Sequence, residues 1–374
     1  MVDKKYDLIV HGATGFTGKL ICEYLFNHLD IKSVKWAISG RNNKKLETIS
    51  HKYNVDYFQV DSFDKKSLDN ITLNSKVIIS VVGPYALYGK KLVQSCVENN
   101  CHYLDITGES TFVKYVRENF TSKSVKTNTM VINCCGFESM PTDIGVYYNF
   151  KKSKQENLDI KCFLKSRGKI SGGTWASFLN HFDTNKISLN NHKINKTKKV
   201  KSFYYENDIK KWALIFPDID RSIIMSSSKY YKYGADFNFT KYLTFKTLWQ
   251  VIGLIIPLIV ISFLAKYTFT RNWLKTFIPS GTGPSKDERS KHWFNFKMIS
   301  KTKKQKYITE VNGGDPGYGE TSKFISEMAL TIIHDFDKLT NNKGVISPAE
   351  CGGEALLKRL INSNIKFSHK SVNV

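Results

Sequence analysis

Gly12, Gly15 and Gly18 recur at three-residue intervals in the segment HGATGFTG, directly after the apolar run Leu8, Ile9 and Val10 and directly before a stretch whose apolar face includes Leu20, Ile21, Tyr24 and Leu25. A strand that ends in such a turn and opens a helix offers free backbone N–H groups to an anion at the positive end of the helix dipole. Glycines let the backbone turn sharply and come close to a pyrophosphate. The implied chemistry is dinucleotide binding, with Gly12, Ala13, Thr14, Gly15, Phe16, Thr17 and Gly18 as the contacting segment. The next apolar run, residues 34–38, leads into Ser39-Gly40-Arg41, where a site for NAD would place an acid to accept from the ribose hydroxyls. That end is cationic instead. Arg41, with Lys44 or Lys45 one turn further, can clamp a ribose phosphate by charge-assisted hydrogen bonds, which favours NADP(H) over NAD(H).

The elements that must position these residues alternate as in a doubly wound α/β domain. Strands are expected at residues 8–10, 34–38, 57–60, 77–81, 102–106 and 130–133, with helical patterns between them. Ligands of such sheets bind beyond the carboxyl ends of the strands. Those ends carry Asp61, a hydrogen-bond partner for adenine or simply a helix cap; Val82, Gly83 and Pro84 beside Tyr85; Asp105 with Glu109; and Cys135 to Ser139. Hydride transfer asks the protein to place the nicotinamide and to supply a proton donor. Tyr85, Glu109 and Ser139 are therefore the expected catalytic groups, with Tyr85 foremost as donor, and Asp105 joins Val82, Gly83 and Pro84 in lining the cofactor. Tyr147-x-x-x-Lys151 imitates another reductase signature but ends a helix beyond the site, and His102 and Cys134-Cys135 read as core.

Composition bounds the remaining possibilities. The 374 residues carry 56 basic and 33 acidic side chains, a formal net charge of +23, which suits nucleic acid, an anionic membrane surface or a polyanionic substrate. The lysines are scattered, only the loop at residues 192–201 is dense, and no recognition-helix or zinc-finger pattern occurs, so that loop is assigned to solvent and nucleic acid is discounted. Seven cysteines with no CxxC pair and no metal spacing point to reduced thiols in the cytosol and to no metal site. Residues 1–5 run straight into the first strand and leave no room for a signal peptide.

Taken together, GATGFTG, SGRNNKKLE, VVGPYALYG, CHYLDITGE, CGFESMPTDIG and GVISPAECGGEALLKRL resemble the saccharopine dehydrogenase-like oxidoreductases, a group that includes the trans-acting enoyl reductases of mycobacterial lipid synthesis. The resemblance spans nearly the whole chain. It implies a Rossmann doubly wound parallel sheet (residues 1–150), an inserted α+β substrate domain (151–338) and a C-terminal helix returning to the Rossmann domain (339–374). Glu138 stands where the family motif is expected to carry Asp. Because the inserted domain of saccharopine reductases supplies substrate groups, Arg167, the turn Gly172-Gly173-Thr174-Trp175 and the loop Pro316-Gly317-Tyr318 are candidates, beside their plainer reading as sheet turns. Alternation at residues 160–165 and 293–311 predicts strands, and the spacing of Phe324, Met328 and Ile332 predicts a core helix over 321–334.

Inside that second domain, Leu248–Ala265 (LWQVIGLIIPLIVISFLA) runs 18 residues without a charge, between Lys246 and Lys266. Its length and composition suit a membrane, and Tyr242, Phe245, Phe263, Phe269 and Trp273 around it suit an interface. A full span would separate the two halves of the chain, whereas a C-terminal helix docked on the first domain requires both flanks in one compartment. Pro257 lacks a backbone donor, so two half-helices in a re-entrant hairpin are expected. The reading is a membrane-associated NADP(H)-dependent oxidoreductase on the cytosolic face of a membrane or lipid droplet, acting on a lipid-like enoyl or carbonyl group. The alternatives are a catalytically silent dinucleotide-binding protein on such a surface and a soluble saccharopine-type amino-acid dehydrogenase. Nothing in the sequence sets the oligomeric state.

Overall fold

A computed structural model describes residues 3–137, 139–169, 172, 175, 178–179, 200–216, 219–279, 282–340 and 342–374. Glu138, Gly173, Thr174 and the lysine-dense loop 192–199 lie outside the described residues.

The first half builds a parallel sheet from β1 (Tyr6–His11), β2 (Trp36–Gly40), β3 (Asp56–Gln59), β4 (Ser75–Ser80), β5 (His102–Asp105) and β6 (Met130–Ile132). The central strands are nearly continuous apolar runs because both faces of the sheet are covered. Between them run α1 (Phe16–Asn27), α2 (Asn43–Tyr53), α3 (Lys65–Asn74), α4 (Tyr85–Glu98) and α5 (Ser110–Lys126), and α6 (Met140–Ser153) follows. Side chains of Asn42 and Asp64 accept from backbone N–H groups and start α2 and α3.

The second half contributes β7 (Asp159–Arg167), β8 (Phe203–Glu206), β9 (Lys211–Ile215), α7 (Asp220–Tyr231), β10 (Asn238–Phe245), α8 (Leu248–Ala265), α9 (Thr268–Thr276), α10 (Lys286–Ser290), β11 (Trp293–Lys301) and β12 (Gln305–Gly313). It closes with α11 (Gly319–His334), β13 (Gly344–Ile346), α12 (Pro348–Asn362) and β14 (Lys366–Asn373). The two seven-stranded sheets have the orders β13-β6-β5-β4-β1-β2-β3 and β14-β12-β11-β7-β10-β9-β8. The first is parallel throughout, with Leu8 opposite both Trp36 and Val77. In the second, only β7 and β10 run parallel among the described strands.

The chain end does more than the returning helix expected of it. β13 extends the first sheet, α12 packs on α6 and α11, and β14 then joins the second sheet with Lys366 opposite Asn312. A three-residue strand and a mostly exposed polar edge strand carry little apolar pattern, so neither shows in the sequence. α11, although inside the inserted segment, packs on α1, β4 and β5. One large core cluster consequently runs from Leu8 and Val77 through Met140, Phe324 and Leu356 to Phe296 and Met298, joining both sheets.

α8 also departs from expectation. It is one helix, with Pro257 in its interior, and not two half-helices. The residue whose carbonyl a proline ring crowds, four positions back, is Gly253, on the open side of the helix, where among the described residues nothing outside the helix backbone lies within 4 Å of its Cβ position. Ala265 and the flanks of Ile261 and Leu264 pack with Leu179 and Leu274, while most of the helix remains exposed. Tyr242 is not at an interface but buried against Phe163 and Ala213.

Candidate functional site

The cofactor turn is held from below by backbone bonds. The N–H groups of Gly12 and Ala13 both donate to the Ser39 carbonyl, at 2.8 and 3.2 Å, which ties the ends of β1 and β2 together. Gly12 has a φ of +96°, and a Cβ there would lie 2.8 Å from Val82. A Cβ on Gly18 would lie 2.2 Å from the Gly12 carbonyl, so this glycine allows α1 to sit against the turn. Gly15 differs from both: it is exposed, caps α1 without a side chain, and the only atom near its Cβ position is the Gly12 carbonyl at 3.3 Å. The Lys19 N–H donates to the Gly15 carbonyl at 3.0 Å, and no acidic residue occupies the first turn. The N–H groups of Phe16, Thr17 and Gly18 thus open α1 toward Gly15, as an anion requires.

The two flanks of the turn face different parts of the molecule. Thr14 meets Gly40 at the end of β2, with 3.6 Å from its Oγ1 to the Gly40 Cβ position, next to exposed Arg41, Lys44 and Lys45. Phe16 faces the second domain. Its ring meets Tyr318 edge-on at 5.0 Å, the Arg289 guanidinium stands 5.8 Å from its centroid, and Gly283 is close enough that a Cβ there would touch it. A dinucleotide laid across this turn with its ribose phosphate on Arg41 would carry its nicotinamide toward Tyr318. Arg41→Asp is expected to weaken NADPH by roughly 10- to 100-fold, the loss of one or two charge-assisted bonds, and NADH by about threefold at most. Fluorescence titration of both cofactors checks this, and an equal loss of the two would remove Arg41 from the phosphate.

The expected catalytic groups have other work. Tyr85 is buried, its hydroxyl donates to the Ser80 carbonyl at 3.1 Å, and burial with the nearby charges of Asp105 and Glu109 holds its phenol well above the usual range. Glu109 spans the start of α4, accepting from the N–H of Tyr85 at 2.8 Å and of Ala86 at 2.9 Å. Ser139 is fully buried and donates to Asp220 at 2.9 Å, in a knot with Thr142 and Lys241 that joins the two domains. These contacts correct the proton-donor role expected of Tyr85 and Ser139, because both hydroxyls are enclosed and turned into the protein, and they make Glu109 a helix cap.

Asp105, too, lies beneath the surface. It accepts from Thr107, Asn133 and Cys134, and burial pushes its carboxyl up to about 6. Its contribution is to shape the ends of β5 and β6, which corrects the direct cofactor contact expected of it. Asp61 is exposed at the end of β3, with one oxygen already accepting from Phe63 at 2.9 Å. Val82, Gly83 and Pro84 remain accessible beside Gly12 at the sheet's edge.

Sequence reasoning passed over the wall facing Phe16. His292 Nδ1 lies 2.7 Å from Asp315 Oδ1, and the other Asp315 oxygen accepts from Gly319 at the start of α11. The His292 N–H donates to the Arg289 carbonyl, which places this pair beside the Arg289, Tyr318 and Phe16 group. The Pro316-Gly317-Tyr318 loop therefore stands beside Phe16, with Pro316 3.2 Å from the position a Cβ on Gly168 would take. Arg167 is exposed at the end of β7; the 172–175 turn lies partly outside the described residues. All seven cysteines are buried and none is in a disulfide, and burial pushes the thiols of Cys22 and Cys351 up to about 12, far from a reactive thiolate. Among the described residues no His, Cys, Asp and Glu group has the arrangement of a metal site.

Parallel strand order, the glycine turn and the cationic residues after the second strand define a Rossmann dinucleotide-binding domain fused to an α+β layer. Residues 8–137 match the family model for the saccharopine dehydrogenase NADP binding domain, and NADP(H) is the cofactor of that domain. Over 94% of its length the chain is 28% identical to a lipid droplet localized protein of Caenorhabditis elegans, of which 95% is covered. It is 25% identical to a protein of Mycobacterium tuberculosis named as a trans-acting enoyl reductase, covering 96% of each chain, and 24% identical to the human saccharopine dehydrogenase-like oxidoreductase, covering 98% of this chain and 97% of that one. Among solved structures it is similar to saccharopine dehydrogenase (L-Glu forming) of Saccharomyces cerevisiae, with a TM-score of 0.61 at 11% identity over 98% of this chain and all of the other. The chain is thus similar, over nearly all of its residues, to saccharopine dehydrogenase-like proteins, as its motifs implied.

Proposed function

We propose that this protein is an NADPH-dependent reductase that works at a membrane or lipid-droplet surface on a lipid-like enoyl or carbonyl group. The observation that carries the reading is the pairing, in one body, of an NADP-binding domain with a substrate domain that exposes α8, an apolar helix of membrane-like composition of which only 11% is buried. A soluble amino-acid dehydrogenase has no use for such a surface. The names of the nematode and mycobacterial relatives, a droplet protein and an enoyl reductase, support the same reading. β10 and β11, which flank α8 and α9, belong to one sheet, so the chain leaves and re-enters the same side and both termini should face the cytosol.

In this reading the nicotinamide lies along Phe16, and the opposite wall holds His292, buried like Tyr85 but, among the described residues, with only Nδ1 taken, by Asp315, which leaves Nε2 to carry the proton. An imidazole held by a carboxylate in this way is a common general acid. The engaged positions of Tyr85, Glu109 and Ser139 favour a second reading, a dinucleotide sensor without turnover. Comparing the lipids of cells with and without the protein, then measuring NADPH oxidation on the species that accumulate, separates the two. On an accepted substrate, His292→Gln is expected to lower kcat by roughly a hundredfold with NADPH affinity nearly unchanged. Unchanged kcat would remove His292 from the mechanism, and no oxidation of NADPH by any accumulating lipid would leave the sensor.

A further inference from the structure

A cavity of about 490 Å³ opens where the second sheet meets the first turns of α8, with Lys165, Lys211 and Lys246 on one side and Gln250, Gly253 and Leu254 on the other. The topology explains why three lysines meet there. β9, β10 and β7 are neighbours, with Leu243 opposite Leu164 and Phe245 opposite Trp212, so the end of β7, the residue after β10 and the start of β9 share one edge. Among the described residues no carboxylate pairs with any of the three. The acids nearby are taken, Glu206 by Lys161 and Glu310 by Lys297, each at 3.2 Å. Lys165 has the Trp293 ring 4.9 Å away, a contact that positions its ammonium without neutralising it. Burial, followed by the charges of Lys165, Lys246 and Lys297, pulls the Lys211 ammonium below its usual range. Such crowding without an acid is relieved by an anion.

We propose that this pocket holds the phosphate of an anionic phospholipid headgroup while the exposed face of α8 enters the surrounding lipid. The inference rests on the membrane reading above and adds to it a lipid preference and a site. Size, charge and continuity agree on this occupant. The cavity admits a phosphate with its glycerol, the space over Gly253 is open, and the apolar row begun by Trp249 and Ile252 runs on from the same turns, so acyl chains would continue along α8. The start of α8, with no acid in its first turn, adds its dipole to the three cations.

The test is flotation of the full-length protein with phosphatidylcholine vesicles, with and without phosphatidic acid. Wild-type protein is expected to bind the anionic vesicles at least tenfold more tightly. Replacing Lys165, Lys211 and Lys246 together by Ala should abolish that preference, at about fivefold per lysine or on the order of a hundredfold in all. Replacing the exposed Lys126, Lys304 and Lys370 by Ala makes the same change in net charge elsewhere and should cost about threefold or less. NADPH affinity, unchanged in both variants, confirms folding. Equal losses in the two triple variants would overturn the site in favour of diffuse attraction. Equal binding of wild-type protein to neutral and anionic vesicles would overturn the inference and leave the membrane reading intact, whereas no binding to either would remove the membrane reading itself. Release from vesicles by inorganic phosphate, but not by sulfate at matched ionic strength, would assign the pocket to a soluble phosphate and overturn the lipid source.

Discussion

Gly15→Val is expected to weaken NADPH binding by more than a hundredfold while shifting the thermal unfolding midpoint by no more than about 2 °C, the scale of a change under 1 kcal/mol in a chain of this size. The separation follows from where a side chain at this position would go. With φ −74° and ψ 169°, Gly15 already has a backbone conformation that valine adopts without strain, and its Cβ meets only the Gly12 carbonyl at 3.3 Å. Beyond that the valine methyls project into the space the pyrophosphate needs. Gly18→Ala is the contrasting control, because its Cβ would stand 2.2 Å from the same carbonyl and force α1 away from the turn. It should lose stability and cofactor together. Titration by intrinsic fluorescence beside a thermal melt distinguishes the two, and wild-type NADPH affinity in Gly15→Val would show that the pyrophosphate does not lie on this turn.

What the sequence made legible was what depends on local pattern. Continuous apolar runs such as Leu8 to Val10 mark strands covered on both faces, glycine spacing marks a turn, and the absence of an acid at Arg41 is visible without coordinates. Side-chain direction was not legible. Tyr85 sits at the carboxyl edge of the sheet, as its position implied, but as the first residue of α4 it points back under Ser80. Ser139 is fixed by Asp220, 81 residues away, and Asp220 by Lys241, contacts that no spacing encodes. The His292 and Asp315 pair flanks the open end of the β11–β12 hairpin, a meeting that depends on the strand register and not on either residue's local spacing. Pro257 shows the reverse error, since a local rule predicted a break and the helix runs through it.

Replacing Trp249, Ile256, Ile259 and Phe263 together by serine is expected to weaken attachment to membranes or droplets by at least a thousandfold. Spaced by seven, three and four residues, these side chains form one stripe along α8 and are 56% to 80% exposed, so removing them costs the folded protein little. Beyond α8, Phe269, Trp273 and Phe277 extend the apolar surface at intervals of four, while Arg271 and Leu274 turn inward. Burying one large apolar side chain contributes about 1.5 to 3 kcal/mol, and four therefore exceed what a thousandfold loss requires even if lipid covers them only partly. Geometry favours a helix lying in the surface over one crossing it. At about 1.5 Å per residue α8 is some 27 Å long, short of a hydrocarbon core of about 30 Å, and its last turn is pinned to the protein by Ala265. Alkaline washing of membranes, with NADPH binding and melting as controls for folding, reads the effect. Full retention of the four-serine variant would show that lipid attachment lies elsewhere.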